Sequence, residues 1–212
     1  MKAAVLYERG TPFKLEEVHL DPPKKHEVLV KIAAAGVCRS DYHILKDESS
    51  HPVPAVLGHE GSGIVEAIGE DVTMVKPGDH VILSFVPNCG HCFQCETGNA
   101  QLCDTHGATP GTMFDGTTRI FNEDGKPLLS MGKVACFAEY AVVPDAGCIP
   151  IASDIPLDVA ALIGCCVPTG VGAATHKAKV EPGSTVAVLG CGGVGLNAVQ
   201  GARLSNASKI IA

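Results

Sequence analysis

Four cysteines lie close together in the segment VPNCGHCFQCETGNAQLC, residues 86 to 103. Cys89, Cys92, Cys95 and Cys103 have the spacing C-x2-C-x2-C-x7-C. Four thiolates suit tetrahedral zinc, and a C-x2-C pair lets neighbouring thiolates reach one ion. Iron–sulfur proteins use the spacing C-x2-C-x2-C-x3-C followed by proline. In this segment the last gap is seven residues and no proline follows. The spacing favours a structural zinc site over an iron–sulfur cluster, a disulfide pair or chance. Because four protein ligands leave no open position, such a site would fold a loop rather than catalyse.

The composition of the chain restricts its class. Its 212 residues are 46% hydrophobic, enough for a sizeable core, and its net charge is −7. Nucleic acids and anionic membranes need clustered lysine and arginine, so we expect neither as a partner. No apolar run approaches the roughly 18 residues of a membrane span, and the N-terminus is not a signal peptide. We therefore expect a cytoplasmic protein, whose ten cysteines point to metal binding or catalysis rather than to disulfides.

The first part of the chain has the pattern of a β-rich domain. Short runs of valine, isoleucine and alanine between glycine, proline or charged residues predict strands. These runs are KAAVLY, EVLVKIAAAGV, GIVEAIG, HVILSF and AEYAVV. The segment SDYHILKD predicts one or two helical turns, with Ser40 as the N-cap.

The pattern changes near residue 155. The segment IPLDVAALIGCCVPTGVGAATHKA predicts a helix interrupted at Pro168. VEPGSTVAVLG predicts a turn and a fully buried strand, GGVGLNAVQGARLS a helix, and SKIIA another strand. Strand, glycine turn, helix and strand form the opening βαβ unit of an α/β sheet.

Further residues that could bind a metal or move a proton stand in three segments. GVCRSDYH contains Cys38, LGHEGSG contains His59 and Glu60, and LIGCCVPTG contains Cys165 and Cys166. Each is weak evidence alone, because a lone cysteine is most often a small core residue. Together and in this order, they resemble the zinc-dependent medium-chain alcohol dehydrogenases, and the resemblance covers essentially the whole chain.

The resemblance implies the domain organisation. Residues 1–155 would form a GroES-like zinc-binding catalytic domain, with a structural zinc lobe at 86–105. Residues 156–212 would form the crossover helix and the first βαβ unit of an incomplete Rossmann NAD-binding domain. Because subunits of this family are longer, we expect the chain to be an N-terminal fragment, inactive and poorly soluble by itself.

The resemblance also implies a second, catalytic zinc, held by Cys38, His59 and Cys165 with an open fourth position. Two cysteines and one histidine form the ligand set known for alcohol dehydrogenase. Cys165 is preferred to Cys166 because the family cysteine directly follows L-I-G and precedes the threonine, Thr169, by four positions. Glu60 would approach the metal during ligand exchange. The remaining cysteines are expected to be small core residues: Cys136, Cys148, Cys166 and Cys191.

By the same resemblance, zinc would act as a Lewis acid on the alcohol oxygen, and a hydride would pass to a nicotinamide ring. Ser40 would accept the alcohol proton and His43 would pass it to water; an exposed helix residue without a role is the alternative for His43. Asp41 would orient the ring of His59. Phe85 and Val167 match substrate-pocket positions, with plain core packing as the alternative.

The run VAVLGCGGVG holds the fingerprint G-x-G-x-x-G between a strand and a helix, the context in which it binds a dinucleotide pyrophosphate. The acid that would select NAD over NADP would fall just past Ala212, so the sequence leaves NADP open; the family and Arg39 favour NAD. The expected coenzyme contacts are Arg39, Thr169, Gly190, Gly192, Gly193, Val194 and Gly195.

The function implied is oxidation of a primary or secondary alcohol to an aldehyde or ketone with NAD, in a homodimer or homotetramer. Polyol oxidation is an alternative, but that branch commonly uses an acidic third ligand where Cys165 stands. Oxidation of an S-hydroxymethyl thiol is another, but that branch carries an arginine where this chain reads Thr105-His106-Gly107-Ala108. A third alternative is a non-catalytic zinc-binding module, which has no need of Ser40 and His43.

Overall fold

The computed structural model describes all 212 residues, and the chain divides into two units, Met1–Ala161 and Leu162–Ala212. The strands of the first unit are β1 (Lys2–Leu6), β2 (Lys14–Leu20), β3 (Glu27–Gly36), β4 (Ala55–Val56), β5 (Glu60–Ile68), β6 (His80–Leu83), β7 (Ile120–Asn122), β8 (Pro127–Ser130), β9 (Tyr140–Pro144) and β10 (Cys148–Pro150). Its α-helices are α1 (Arg39–Leu45), α2 (Phe93–Glu96), α3 (Asp104–Ala108) and α4 (Leu157–Ala160).

Five strands of the first unit close into a barrel in the order β1-β2-β7-β8-β4. Neighbours are antiparallel except β4 and β8, which run parallel. Closure leaves no unpaired strand edge in the barrel. Its interior is filled by small branched side chains, among them Val5, Val18, Val56 and Leu128.

The other five strands form an antiparallel sheet in the order β10-β6-β5-β3-β9. Its buried face packs Val28, Val30, Val65 and Leu83 into a second core. The long pair β3–β5 runs from Val28 to Gly36, with irregular register after Leu29 and Ile32. This pair ends where β3 leads into α1 and where β5 begins at Glu60, so the sheet brings those two chain segments together.

A buried ion pair joins the start of β3 to the residue before β7. The guanidinium of Arg119 donates to both carboxylate oxygens of Glu27, at 2.9 and 2.6 Å, and to Asp115 at 2.9 Å. Arg119 is 3% and Glu27 6% exposed. The bidentate geometry is the strong form of an arginine–carboxylate pair.

The second unit contains α5 (Cys166–Gly172), β11 (Thr185–Ala187), α6 (Gly193–Leu204) and β12 (Lys209–Ile211). Helix α5 continues as a π-helical turn, Ala173–Lys177. Strands β11 and β12 are parallel, and α6 connects them. Asn197 of α6 donates to the Gly193 carbonyl at 2.8 Å and lies 3.9 Å from the Cys166 sulfur, which ties α6 to α5.

The β-rich first domain, its five predicted strands, the last helix and the last strand are confirmed, with small shifts at their ends. Five strands were not predicted: β2, β4, β7, β8 and β10. Most are short or carry charged residues, so their runs lack a clear hydrophobic pattern.

Four predictions were wrong. Helix α1 is capped by Cys38 and not Ser40, since the Cys38 amide donates to Asp41 at 3.0 Å. Pro168 does not interrupt the helix: the break falls at Cys165, and Pro168 lies in the first turn of α5, where no helical N–H partner is lost. Strand β11 is not fully buried, because β12 is its only paired neighbour. Cys191 is exposed in the turn before α6 and is not a core residue.

No single helix is both long and apolar enough to cross a membrane; one bent pair, Leu157–Gly164 with Cys166–Lys177, meets those criteria only when its members are combined.

Candidate functional site

The four cysteines of the first motif converge in space. The sulfur atoms of Cys89, Cys92, Cys95 and Cys103 all lie within 4.8 Å of one another. The chain makes two short helices here, with Cys92 as the N-cap of α2 and Cys103 as the N-cap of α3. Four thiols with this separation match the donor set and size of a tetrahedral zinc site. The structure therefore contains a four-cysteine cluster that could bind a metal, which we call the thiolate lobe (residues 86–105).

Backbone amides point at the sulfur atoms of this lobe. The Cys89 and His106 amides both donate to the Cys103 sulfur at 3.4 Å, and the Asp104 amide donates to Cys92 at 3.4 Å. Hydrogen bonds to sulfur stabilise the thiolate, which is the form that binds metal.

Hydrogen bonds and burial shift the pKa values of the lobe thiols in opposite directions. The hydroxyl of Thr105 is the main cause that lowers the pKa of Cys89 to about 6. The amide of Cys95 does most to lower the pKa of Cys92. Burial and the neighbouring Cys92 raise the pKa of Cys95 to about 11. The lobe thus favours some thiolates before any metal binds, while Cys95 keeps its proton.

A second set of ligand atoms lies where β3, α1 and β5 meet. The sulfur of Cys38, a ring nitrogen of His59 and a carboxylate oxygen of Glu60 lie within 4.8 Å of one another. His59 and Glu60 are each 2% exposed, and Cys38 is half-buried. A thiol, an imidazole and a carboxylate are all zinc ligands. We call these three residues the mixed-ligand cluster.

Asp41 holds the mixed-ligand cluster together. Its carboxylate, 2% exposed, accepts from the Cys38 amide and the Gly58 amide, each at 3.0 Å. It also lies 3.3 Å from Nδ1 of His59. Because a carboxylate can only accept, the proton belongs on Nδ1 and the lone pair on Nε2. This is the orientation in which a metal-binding histidine is normally held.

The backbone before His59 depends on a glycine. Gly58 has φ +88°, which L side chains rarely adopt. A Cβ at this position would also lie 2.8 Å from the Phe137 amide and 2.9 Å from the Cys136 sulfur. Gly58 therefore lets its chain turn closely over Phe137 and present His59 to Cys38.

The residues proposed for proton movement lie on α1. The hydroxyl of Ser40 is 3.8 Å from the Cys38 sulfur, and it is exposed. His43 lies one turn further along α1, half-buried, with its Nδ1 paired to Glu48. Sequence reasoning did not identify Glu48, whose pairing with His43 depends on the loop that follows the helix.

Two other predicted residues of the first unit have clear surroundings. Phe85 packs on the second core and meets the His59 ring edge-on, with centroids 5.2 Å apart. Arg39 is exposed, and its guanidinium lies 4.9 Å from the Tyr42 ring centroid. Phe85 therefore lies beside the mixed-ligand cluster. The guanidinium of Arg39 stacks on the Tyr42 ring and is exposed to solvent.

The remaining predicted residues belong to the second unit. Cys165 is the buried N-cap of α5, followed by the half-buried Val167 and the exposed Thr169. The glycine turn runs from Gly190, with φ +98°, into α6, whose N-cap is Gly192 and whose next residues are Gly193 and Val194. A Cβ on Gly195 would collide with the Gly190 carbonyl, so the tight turn needs glycine there.

Comparisons with known proteins agree on one family. A model of the alcohol dehydrogenase GroES-like domain matches residues 24–153. The S-(hydroxymethyl)glutathione dehydrogenase of Saccharomyces cerevisiae is 48% identical over 213 residues, which cover 99% of this chain and 55% of that protein.

Solved structures agree. An alcohol dehydrogenase zinc-binding domain protein from Burkholderia ambifaria is 37% identical with a TM-score of 0.93, and benzyl alcohol dehydrogenase from Acinetobacter calcoaceticus is 36% identical with a TM-score of 0.91. In both, the match covers 99% of this chain and 57% of the other. The chain therefore spans a little more than half the length of these relatives.

Proposed function

Because this chain belongs to the zinc-type medium-chain alcohol dehydrogenase family, we propose that it is the zinc-binding part of an oxidoreductase that moves a hydride from a primary or secondary alcohol to NAD. The observation that carries the proposal is the mixed-ligand cluster with Asp41 behind His59, separate from the thiolate lobe. A module that only needed a folded lobe would have no use for this second set of buried ligands.

Two zinc ions per chain are proposed. The first would be held by the four thiols of the lobe. The second would be held by Cys38 and His59, with Cys165 as the third ligand from the family motif and Glu60 as a ligand during exchange. When bound there, zinc would supply Lewis-acid polarisation of an alcohol oxygen. The buried acceptor Asp41 keeps the Nε2 lone pair of His59 available for this role.

The exposed side of the cluster would handle the proton. Ser40 stands beside Cys38 and would accept a hydrogen bond from the alcohol. His43, one helical turn away at the surface, would carry the proton to water, as an imidazole can near neutral pH. Phe85, packed against His59, and Val167 would bound the apolar part of the substrate.

The coenzyme would bind the second unit. Gly190, Gly192 and Gly195 form the tight turn before α6, with Gly193 and Val194 as its first helical residues and Thr169 as a further contact. Such a turn at a helix N-terminus binds pyrophosphate in a Rossmann fold. Arg39 offers a guanidinium fork for the same group. A structurally similar protein, 30% identical with a TM-score of 0.79, is named NAD-dependent alcohol dehydrogenase, which supports NAD.

The second candidate is oxidation of an S-hydroxymethyl thiol, favoured by the name of the 48% identical yeast relative. The absence of arginine at Thr105 to Ala108 stands against it. For either reaction we propose small-molecule alcohols and aldehydes as partners, a cytoplasmic location and a homodimer or homotetramer.

Replacing Asp41 by asparagine should reduce alcohol-dependent NADH formation about 10- to 100-fold. The Cys38 amide donates to one carboxylate oxygen of Asp41, and the Gly58 amide and His59 Nδ1 share the other. The amide nitrogen of the introduced side chain cannot accept a hydrogen bond, so one of these two groups of donors would lose its acceptor, and the negative charge behind His59 would be lost. The assay uses ethanol, benzyl alcohol and a formaldehyde–glutathione mixture as substrates. The enzyme is the protein that contains this chain. Asp47→Asn, which alters an exposed carboxylate paired with Arg9, is the matched control.

Wild-type rates with the plain alcohols would support the first candidate, and turnover only with the thiol adduct would support the second. No turnover with any substrate, or an Asp41→Asn variant as active as Asp47→Asn, would contradict the proposed mechanism.

A further inference from the structure

Lys133 is a buried cation that the proposed reaction does not use. It is 2% exposed, yet its ammonium group donates only to neutral oxygens. These are the Thr109 carbonyl at 2.6 Å, the Thr109 hydroxyl at 2.8 Å and the Thr112 carbonyl at 2.7 Å. Its three donors are all satisfied, but no carboxylate balances its charge. The other deeply buried cation, Arg119, is paired with two carboxylates.

The position of these acceptors links Lys133 to the thiolate lobe. Thr109 directly follows α3, the helix that Cys103 caps, and Thr112 lies three residues later. The ammonium group also lies 5.4 Å from the centroid of Phe114 in the same segment. Lys133 therefore fastens the chain that leaves the lobe to the turn Met131–Lys133.

The backbone at Lys133 is held in an unusual conformation. Gly132 has φ 61° and Lys133 has φ 59°, both in the left-handed region that L residues avoid. A Cβ on Gly132 would lie 2.8 Å from the Phe85 Cβ, so the turn is closely packed. The chain tolerates this conformation where it directs the Lys133 side chain inward.

Ionised thiols of the lobe would supply the missing negative charge. Cys103, 4% exposed, is the most buried of its four thiols. Four thiolates around one Zn²⁺ leave an excess of negative charge that a buried site must balance. Burial lowers the pKa of Lys133 to about 8, and the charge of Cys103 opposes that shift. The side chain thus remains mainly protonated at neutral pH.

We propose that Lys133 is a positioning residue for the lobe metal: its buried positive charge balances the thiolates and strengthens zinc binding. The inference rests on the proposal that the lobe holds zinc.

The test measures the affinity of the lobe for Co²⁺, read out by thiolate-to-cobalt charge-transfer absorption. Displacement of Co²⁺ by zinc then gives the relative affinity for zinc. All variants are made in the full chain with Cys38→Ala, so that the mixed-ligand cluster does not contribute. Lys133→Met should weaken binding about 10-fold, the low end of the effect of losing a group bonded directly to a ligand, because Lys133 acts through its charge and not through such a bond. Lys133→Gln, which can donate hydrogen bonds without charge, should be as weak as Lys133→Met.

The controls separate charge from packing. Lys133→Arg keeps the charge and should bind more tightly than Lys133→Gln, a comparison that holds even if Lys133→Met does not fold. Lys126→Met removes an exposed lysine, 3.8 Å from Asp124, and should change nothing. Wild-type affinity in Lys133→Gln would overturn the charge role. If the Cys38→Ala chain showed no charge-transfer absorption, the lobe would not bind the metal. That result would overturn the proposed lobe zinc and, with it, the role of Lys133.

Discussion

Cys103→Ala is expected to release the lobe zinc and unfold residues 86–105, while the barrel and sheet cores stay folded. Binding of structural zinc by cysteine-rich sites supplies on the order of 10 kcal/mol at neutral pH, and that energy is folding energy. Cys103 does more than supply a ligand atom: its sulfur accepts from the Cys89 and His106 amides and caps α3. Its loss removes the metal ligand and the local acceptor together.

The measurement is zinc content together with limited proteolysis, which should cut the variant inside the lobe. Cys148→Ala is the matched control, since Cys148 is a 1% exposed cysteine of β10 outside both ligand sets. The Cys148→Ala variant should keep its zinc, and its free energy of unfolding should fall by about 1 kcal/mol. A Cys103→Ala protein with full zinc content and wild-type protease resistance would show that the lobe does not depend on a metal.

Arg119→Ala is expected to destabilise the first unit by about 3–5 kcal/mol, the usual cost of removing one partner of a buried ion pair. The variant leaves Glu27, 6% exposed, with a buried charge, and it also frees Asp115 from its guanidinium. The pair joins the start of β3 to the residue before β7, so sheet and barrel should both lose stability.

Urea unfolding followed by circular dichroism measures this cost. Lys126→Ala, which breaks an exposed pair with Asp124, should change stability by less than about 0.5 kcal/mol. The double variant Glu27→Leu with Arg119→Met should recover most of the loss, because apolar replacement of both partners removes the uncompensated charge. A single-variant loss below about 1 kcal/mol would contradict the assigned role of Arg119.

The sequence predicts the local parts of this molecule well. The cysteine spacing predicts that the four lobe thiols lie together, and the structure brings them within 4.8 Å of one another; that they hold zinc stays a prediction. The strands KAAVLY and EVLVKIAAAGV follow from their branched, apolar residues. Assignment of Cys38, His59 and Cys165 to one catalytic centre required the family resemblance, because no short-range pattern connects positions so far apart.

Other features depend on contacts that no local pattern reveals. Glu27 and Arg119 are 92 positions apart, and each looks like an ordinary surface charge. Lys133 has the sequence surroundings of an exposed turn but lies buried against Thr109 and Thr112. Ser40 is a good N-cap residue, yet Cys38 takes the position because Asp41 accepts its amide. For Glu27–Arg119 and for Lys133, tertiary hydrogen bonds outweigh the local preference. For Cys38 the bond is local, between residues three apart, and it competes with the cap that Ser40 would make.

The mixed-ligand cluster is proposed as a metal centre distinct from the thiolate lobe, and the rest of the proposed function depends on it. Elemental analysis of zinc, on the 212-residue chain and on its Cys38→Ala variant, tests it most directly. We predict two zinc ions per chain, one for each ligand group, falling to one in the variant. One zinc in both proteins would contradict the proposal, because the metal would then belong to the four cysteines alone.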